Sequence, residues 1–170
     1  MSQSLFQMFA GYNAWANERL YAAAAGLSDT DYRADLGAFF KSMHGTLNHL
    51  LVTDCVWMRR FTGAGPSPTQ LDEILYEDFA ALRAARLAED QRIITWIDGL
   101  TADDLSRMLT YQPLSGTVTV VQPLASALSH LFNHQTHHRG QVHALLTRLT
   151  GEAPSLDLAV FQRLSGMGMT

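Results

Sequence analysis

The 170-residue sequence contains a single cysteine, Cys55, so no disulfide can form within the chain. A lone cysteine fits a reducing compartment, and its apolar surroundings favour a small core residue over a nucleophile. No block of lysines or arginines is present, and the formal net charge is −4. Nucleic acid is therefore not expected as a partner, because binding to phosphates depends on clustered positive charge.

The chain also lacks any uncharged apolar run of about 18 or more residues, so no membrane span is expected. Its first residues, MSQSLFQMF, lack the basic start and long apolar core of a signal peptide. We therefore predict a cytoplasmic protein. Apolar residues make up 47% of the chain and charged residues 16%, which is typical of one globular domain covering residues 1–170.

Apolar residues recur at helical spacing in four long segments, residues 4–25, 37–61, 71–97 and 122–150. Ser4 is the predicted cap of the first segment, and the breaker cluster GAGPSP ends the second. Residues 28–36 have the composition of a connection between helices. A short helical turn is predicted at residues 101–105 and a short terminal helix at residues 156–165. Residues 107–121 carry β-branched residues beside a Pro–Leu–Ser–Gly turn, which indicates a hairpin. The sequence predicts an all-α four-helix bundle with a small β-hairpin inserted before the last long helix.

Five of the seven histidines lie between residues 130 and 143, in the segment HLFNHQTHHRGQVH. On a helical wheel, His134 and His138 fall on the apolar face, which we expect to turn toward the core. An i, i+4 pair of imidazoles can share one metal ion, and neutral imidazole suits zinc, nickel, copper and iron. The alternative is that each histidine is an ordinary polar residue bonded to water or to a helix end.

A third ligand is needed to favour the metal interpretation. The second helix is uncharged over most of its circumference, which indicates that it is covered on more than one side. His49 lies on one of those covered sides and is the candidate third ligand. His137 is the main rival to His138 as a ligand, and both His130 and His137 could instead support a ligand from nearby.

Other polar residues could assist such a site. Asp54, an acid on a mostly apolar face, could orient an imidazole, or it could instead pair with an arginine such as Arg139. His44 and His143 point away from the relevant faces and are expected to face solvent. The sequence has no Glu–x–x–His or His–Glu–x–x–His pattern, so neither the diiron bundle site nor the zinc-protease helix is predicted.

Three segments resemble the DinB family, part of the DinB/YfiT-like group of metalloenzymes: YNAWANERL at 12–20, LNHLLVTDCVWMRRFTG at 47–63 and NHQTHHRGQVHALL at 133–146. The resemblance implies a four-helix bundle, often dimeric, with one nickel or zinc ion on three histidines, which match His49, His134 and His138. It also implies a small-molecule substrate and a small thiol such as bacillithiol, mycothiol or glutathione, since the wider group includes thiol-dependent transferases and isomerases. The family name records induction by DNA damage and specifies no reaction.

Three hypotheses follow for the function. The first is a metal-dependent thiol transferase or isomerase that acts on a small electrophile. The second is a non-catalytic, damage-inducible metal-binding protein whose ion only joins two helices. The third is a metal-free interaction module, in which the second apolar side of the helix carrying His49 is a dimer face.

Overall fold

Six helices and one two-stranded hairpin form the structure over residues 2–169, which are the residues that the computed structural model describes. The helices are α1 (Gln3–Ala24), α2 (Asp29–Arg33), α3 (Met43–Thr62), α4 (Phe79–Asp98), α5 (Leu124–Thr150) and α6 (Leu158–Ser165). The predicted bundle with a hairpin before the last long helix is thereby confirmed. Met1 and Thr170, the ends of the predicted domain, lie outside the described residues. Among residues 2–169 no helix has both the length and the apolar character that crossing a bilayer requires.

The hairpin pairs β1 (Met108–Tyr111) with β2 (Val120–Pro123) in an antiparallel register that sets Met108 opposite Pro123. The second strand lies further along the chain than predicted, so α5 begins at Leu124 rather than at residue 122. A 3₁₀ turn over Asp104–Ser106 precedes β1 and corresponds to the predicted short turn.

Two helices begin later than the sequence indicated. The second long helix, α3, starts at Met43 rather than at residue 37, because Gly37 (φ 79°) and Lys41 (φ 66°) have left-handed backbone angles that a helix cannot contain. The third, α4, starts at Phe79 rather than at residue 71. The carboxylate of Asp78 accepts a hydrogen bond from the Ala81 amide at 2.8 Å and so caps α4 at that point.

Two smaller boundaries also differ. Residues 29–33, predicted as part of a connection, form α2 because Ser28 caps it by accepting from the Asp31 amide. The first helix begins at Gln3, and its N-cap is Ser2 rather than Ser4. The predicted terminal helix is present as α6 and packs on α1.

Two apolar clusters of the interior lie on either side of one polar layer, and a third cluster lies between α1 and α6. Helix α1 packs on α4 and α5, and α3 packs on the same two helices. One cluster holds Phe6, Met58 and Ile93, and the other holds Leu20 and Leu47. The polar layer between them comprises the buried residues Asn13, Asn17, Asp54, Arg86, Asp90, Gln135 and Arg139, so all four long helices contribute to it.

The polar layer is centred on Arg86, whose guanidinium lies 2.7 Å from Oδ2 of Asp54 and 3.0 Å from Oδ1 of Asp90. Asn17 donates a further hydrogen bond to Asp90 at 3.0 Å. Burial raises the pKa of Asp54 to about 6, while the Arg86 guanidinium acts in the opposite direction. The layer therefore holds charged groups in the interior by pairing them with one another.

Candidate metal centre

Three histidines meet in the groove between α3 and α5. His49 comes from α3, and His134 and His138 come from successive turns of α5. One ring nitrogen from each residue lies within 4.8 Å of the others, and Nε2 of His49 is 3.2 Å from Nε2 of His134. Two imidazole nitrogens bound to one tetrahedral zinc at about 2.0–2.1 Å would be about 3.3 Å apart. The spacing of these two nitrogens matches that arrangement, so the group could hold a metal ion.

Hydrogen bonds on the far side of two rings leave a lone pair facing the group. Nδ1 of His49 donates to the carbonyl oxygen of Leu71 at 2.7 Å, and Nδ1 of His138 donates to Oε1 of Gln141 at 2.9 Å. A neutral imidazole that donates through Nδ1 has its lone pair on Nε2. In each residue the hydrogen bond at Nδ1 fixes the tautomer and the ring orientation, as it does for histidines that ligate metals.

The three imidazoles are held in the neutral form that binds a metal. Burial lowers the pKa of His49 to about 4, although the Leu71 carbonyl acts to raise it. Burial and then the neighbouring histidines lower the pKa of His134 to about 3. Burial also lowers the pKa of His138. All three rings therefore carry a free lone pair at neutral pH, which metal ligation requires.

One polar atom of the group has no partner within residues 2–169. Nδ1 of His134 is buried, and it neither accepts nor donates a hydrogen bond there. Three nitrogen donors without a carboxylate or thiolate suit zinc, nickel, copper and iron, and they leave a divalent ion its full charge. The donor set therefore fits the ion that the sequence predicted, with at least one coordination position free for another ligand.

The helical wheel placed His134 and His138 on the inward face of α5, and the structure confirms this for one of them. His138 is buried, with an exposed fraction of 8%, whereas His134 is only half-buried in the groove. The most buried polar side chains of α5 at this level are instead Gln135 and Arg139, with exposed fractions of 0% and 2%. Each follows one of the two histidines in the sequence, so the most buried face of α5 is offset from the histidines by about one residue.

Asp54 and Arg139 do not support the histidines directly. Among the described residues, Asp54 makes its contacts with Arg86 and with the side-chain amide of Gln135, and it bonds to no imidazole. Its arginine partner is Arg86, not Arg139. The guanidinium of Arg139 donates to Asn13 in the polar layer instead.

The remaining histidines of the cluster lie around the group. His137 is exposed, with its ring edge-on to His138 at a centroid distance of 4.7 Å, and it is not one of the three residues whose ring nitrogens converge. The ring of His130 lies 5.8 Å from that of His134 and 5.1 Å from that of Trp57. His44, expected at the surface, is buried and is 4% exposed.

Three contacts at the site were not predicted from the sequence. The ring of Phe40 stacks on His49 with a centroid distance of 3.7 Å and an angle of 18°, and it also approaches His138 at 5.5 Å. The other two are the hydrogen bonds that His49 donates to Leu71 and His138 donates to Gln141. Gln141 follows His138 by three residues on a helix, a spacing that brings side chains together. Phe40 and Leu71 lie in loops, although the apolar periodicity had placed both in helices.

The loop before α3 is held close to the helix by Gly45. A Cβ atom at Gly45 would collide with the carbonyl oxygen of Phe40, so only glycine allows this approach. The amide of Ser42 also donates to that carbonyl, and Ser42 caps α3 through the Gly45 amide at 3.0 Å. The position of the Phe40 ring on His49 therefore depends on a glycine in the first turn of α3.

Gly45→Ala is expected to destabilise the protein and displace Phe40, whereas Gly140→Ala on α5 is expected to stabilise it. Alanine in a helix is favoured over glycine by about 1 kcal/mol, but forcing an atom into filled space costs about 1–3 kcal/mol. No atom lies within 4 Å of a Cβ at Gly140. Urea unfolding of the two variants measures this difference. A stabilised Gly45→Ala variant would show that the loop does not contact α3 in this way.

Comparison with known proteins identifies the chain at the family level. The model of the DinB family matches residues 1–167. The chain is also similar to the protein DinB of Bacillus subtilis (strain 168), with 28% identity over 168 residues that cover 95% of each chain.

Proposed function

Because the chain belongs to the DinB family, we propose that it is a divalent-metal-binding protein whose ion is held by His49, His134 and His138. The observation that carries the proposal is the convergence of three neutral imidazole nitrogens within 4.8 Å. Their far-side hydrogen bonds to Leu71 and Gln141 support the same role. Nickel or zinc is the proposed ion, in line with the donor set.

We further propose that the protein catalyses transfer or isomerisation with a small external thiol and a small electrophile. A bound ion with a free position supplies a Lewis acid that can stabilise a thiolate at neutral pH. The chain itself offers no such thiol, because Cys55 is buried and burial raises its pKa to about 12. The thiol therefore has to come from a second molecule.

The protein's own residues would orient and shield the reacting groups. The Leu71 carbonyl fixes the His49 ring, and the Phe40 ring covers one face of it. Excluding water from that face strengthens electrostatic interactions at the site. A homodimer and a cytoplasmic location stay predictions from the family resemblance and the composition.

A structural ion is the second candidate function. The ligands come from α3 and α5, so a bound ion would link two helices that already pack together. In that case the ion would stabilise the bundle by an amount set by its concentration and affinity, with no need for a thiol. The two candidates differ in whether an external thiol reaches the ion.

Cobalt-loaded protein is expected to respond to small thiols but not to their S-methyl forms. A thiolate that binds Co²⁺ adds a sulfur-to-metal absorption band, while the S-methyl form of the same molecule has no thiolate to contribute. The measurement is an absorption titration with glutathione and S-methylglutathione, repeated on a His134→Ala variant that should not hold cobalt. No band with glutathione or with other small thiols, together with a melting temperature that falls on chelation, would support the structural ion instead.

A further inference from the structure

A cleft of about 400 Å³ lies beside the histidine group, between the loop before α3 and the loop before α4. Phe40 forms part of its wall, and the same ring stacks on His49. Ligand pockets for small molecules usually have volumes of about 300–1,000 Å³. The cleft is therefore large enough for a small molecule and is separated from the histidines by one aromatic ring.

A positive charge and a hydrogen-bond donor without a partner among the described residues line the cleft. Lys41 is the only lysine in the sequence, and its side chain is exposed and has no ion-pair partner within residues 2–169. Its backbone has a left-handed φ of 66°, which is unfavourable for a residue other than glycine. This backbone angle places the lysine at the wall of the cleft.

His44 supplies the donor. Arg33 donates to Nδ1 of His44 at 2.8 Å, so the hydrogen of this ring is on Nε2. Nε2 is buried, has no hydrogen-bond partner among the described residues, and is 3.8 Å from the nearest carboxylate oxygen, which belongs to Glu77. A buried donor without a partner costs about 1–3 kcal/mol, which a bound acceptor would recover. His44 also lies in the first turn of α3, where the helix dipole favours negative charge.

The rest of the cleft carries negative charge. Arg33 and Glu77 pair with each other at 2.9 Å, which leaves the carboxylates of Asp35 and Asp72 without an ion pair within residues 2–169. An anion alone would be repelled by these two acids, and a cation alone would be repelled by Lys41. The arrangement is suited to a molecule that carries both charges.

We propose that this cleft binds a small zwitterion of amino-acid or dipeptide size, with its carboxylate at Lys41 and His44 and its ammonium at Asp72. Apolar atoms of such a molecule would contact Phe40 and Ile74, which also line the cleft. That this ligand is the substrate or the thiol carrier for the neighbouring ion rests on the proposed function. That the cleft binds such a ligand rests only on the residues that line it.

The test uses three related probes and the full chain. These are L-alanyl-L-alanine, its N-acetyl form without the ammonium, and its amide without the carboxylate. NMR titrations of the ¹⁵N-labelled protein follow the Lys41 amide and the His44 ring. Blocking either end should weaken binding about two- to fivefold, as expected for partly exposed ion pairs.

Variants assign each end of the probe to a residue. Lys41→Gln should weaken binding of the dipeptide but leave binding of its amide form unchanged. Asp72→Asn should weaken binding of the dipeptide but leave binding of its N-acetyl form unchanged. Lys41→Arg should retain binding, and Arg107→Gln, which removes an exposed charge far from the cleft in sequence, should have no effect. Equal binding of all three probes, shifts away from the cleft, or no saturable shift would overturn the proposal.

A parallel zinc titration separates this proposal from the proposed function. Lys41→Gln should bind zinc as the wild type does, because Lys41 is not a ligand. Dipeptide binding by a protein that holds no zinc would leave the cleft supported and the metal function refuted. Zinc binding without dipeptide binding would give the opposite result.

Discussion

Replacing His138 with alanine is expected to remove the bound divalent ion from the purified protein. The wild-type chain should hold about one equivalent of nickel or zinc, since three histidines and one open position are a common zinc arrangement. Loss of a supporting residue around a metal typically weakens affinity 10–100-fold, so the loss of a ligand should weaken it by more than about 100-fold. Elemental analysis of untagged protein measures the metal content directly.

His137→Ala is the matched control for this experiment. His137 is on the same helix, next to His138, but it is exposed and is not one of the three residues whose ring nitrogens converge. Its removal should leave the metal content unchanged, whereas His49→Ala should lower it as His138→Ala does. A metal-free wild type after loading, or an ion that persists in both ligand variants, would refute the three-histidine site and favour a metal-free interaction module.

The sequence predicted the three histidines but not their surroundings. Clustering and i, i+4 spacing are local properties, so His134 and His138 could be identified from α5 alone. His49 needed the inference that α3 is covered on two sides, and the structure places a ring nitrogen of this residue within 4.8 Å of those of the other two. Phe40 and Leu71 could not be predicted, because a loop's path depends on contacts with distant residues such as Gly45.

Replacing Arg86 with methionine is expected to be the most destabilising change in the core. Arg86 is 1% exposed and lies between the carboxylates of Asp54 and Asp90. Removing one partner of a buried ion pair costs about 3–5 kcal/mol, because the remaining charge is left without compensation. For a chain of this size, that loss should lower the melting temperature by roughly 6–20 °C. Urea unfolding measures the loss of unfolding free energy, and thermal unfolding measures the change in melting temperature.

Arg83→Met on the same helix provides the comparison for Arg86. Arg83 has no ion pair within the described residues, so its replacement should change the stability by less than about 0.5 kcal/mol. Combining Arg86→Met with Asp54→Asn should cost less than the sum of the two single changes, because the second removes a charge that the first leaves unpaired. Additive effects, or a stable Arg86→Met variant, would show that the polar layer does not hold these charges together.

The polar layer could not be predicted from the sequence, because it depends on contacts between residues of different helices. Asn13 and Asn17 on α1 and Arg86 and Asp90 on α4 are each i, i+4 pairs at positions where a core helix normally has apolar residues. Each pair alone is typical of a solvated helix face. Only the packing of four helices shows that the pairs meet at one level. Pairing of Asp54 with an arginine was one of the two predicted alternatives, but the arginine is Arg86 and not the suggested Arg139.

The separation of the histidines from the polar layer has a consequence for substitutions. The charged groups that pair across the four helices are in the polar layer, whereas the three histidines meet in the groove between α3 and α5. Many substitutions in the groove or its adjoining loops can therefore alter ligand preference without breaking the buried ion pairs. A scaffold divided in this way can change its chemistry while its interior packing stays the same.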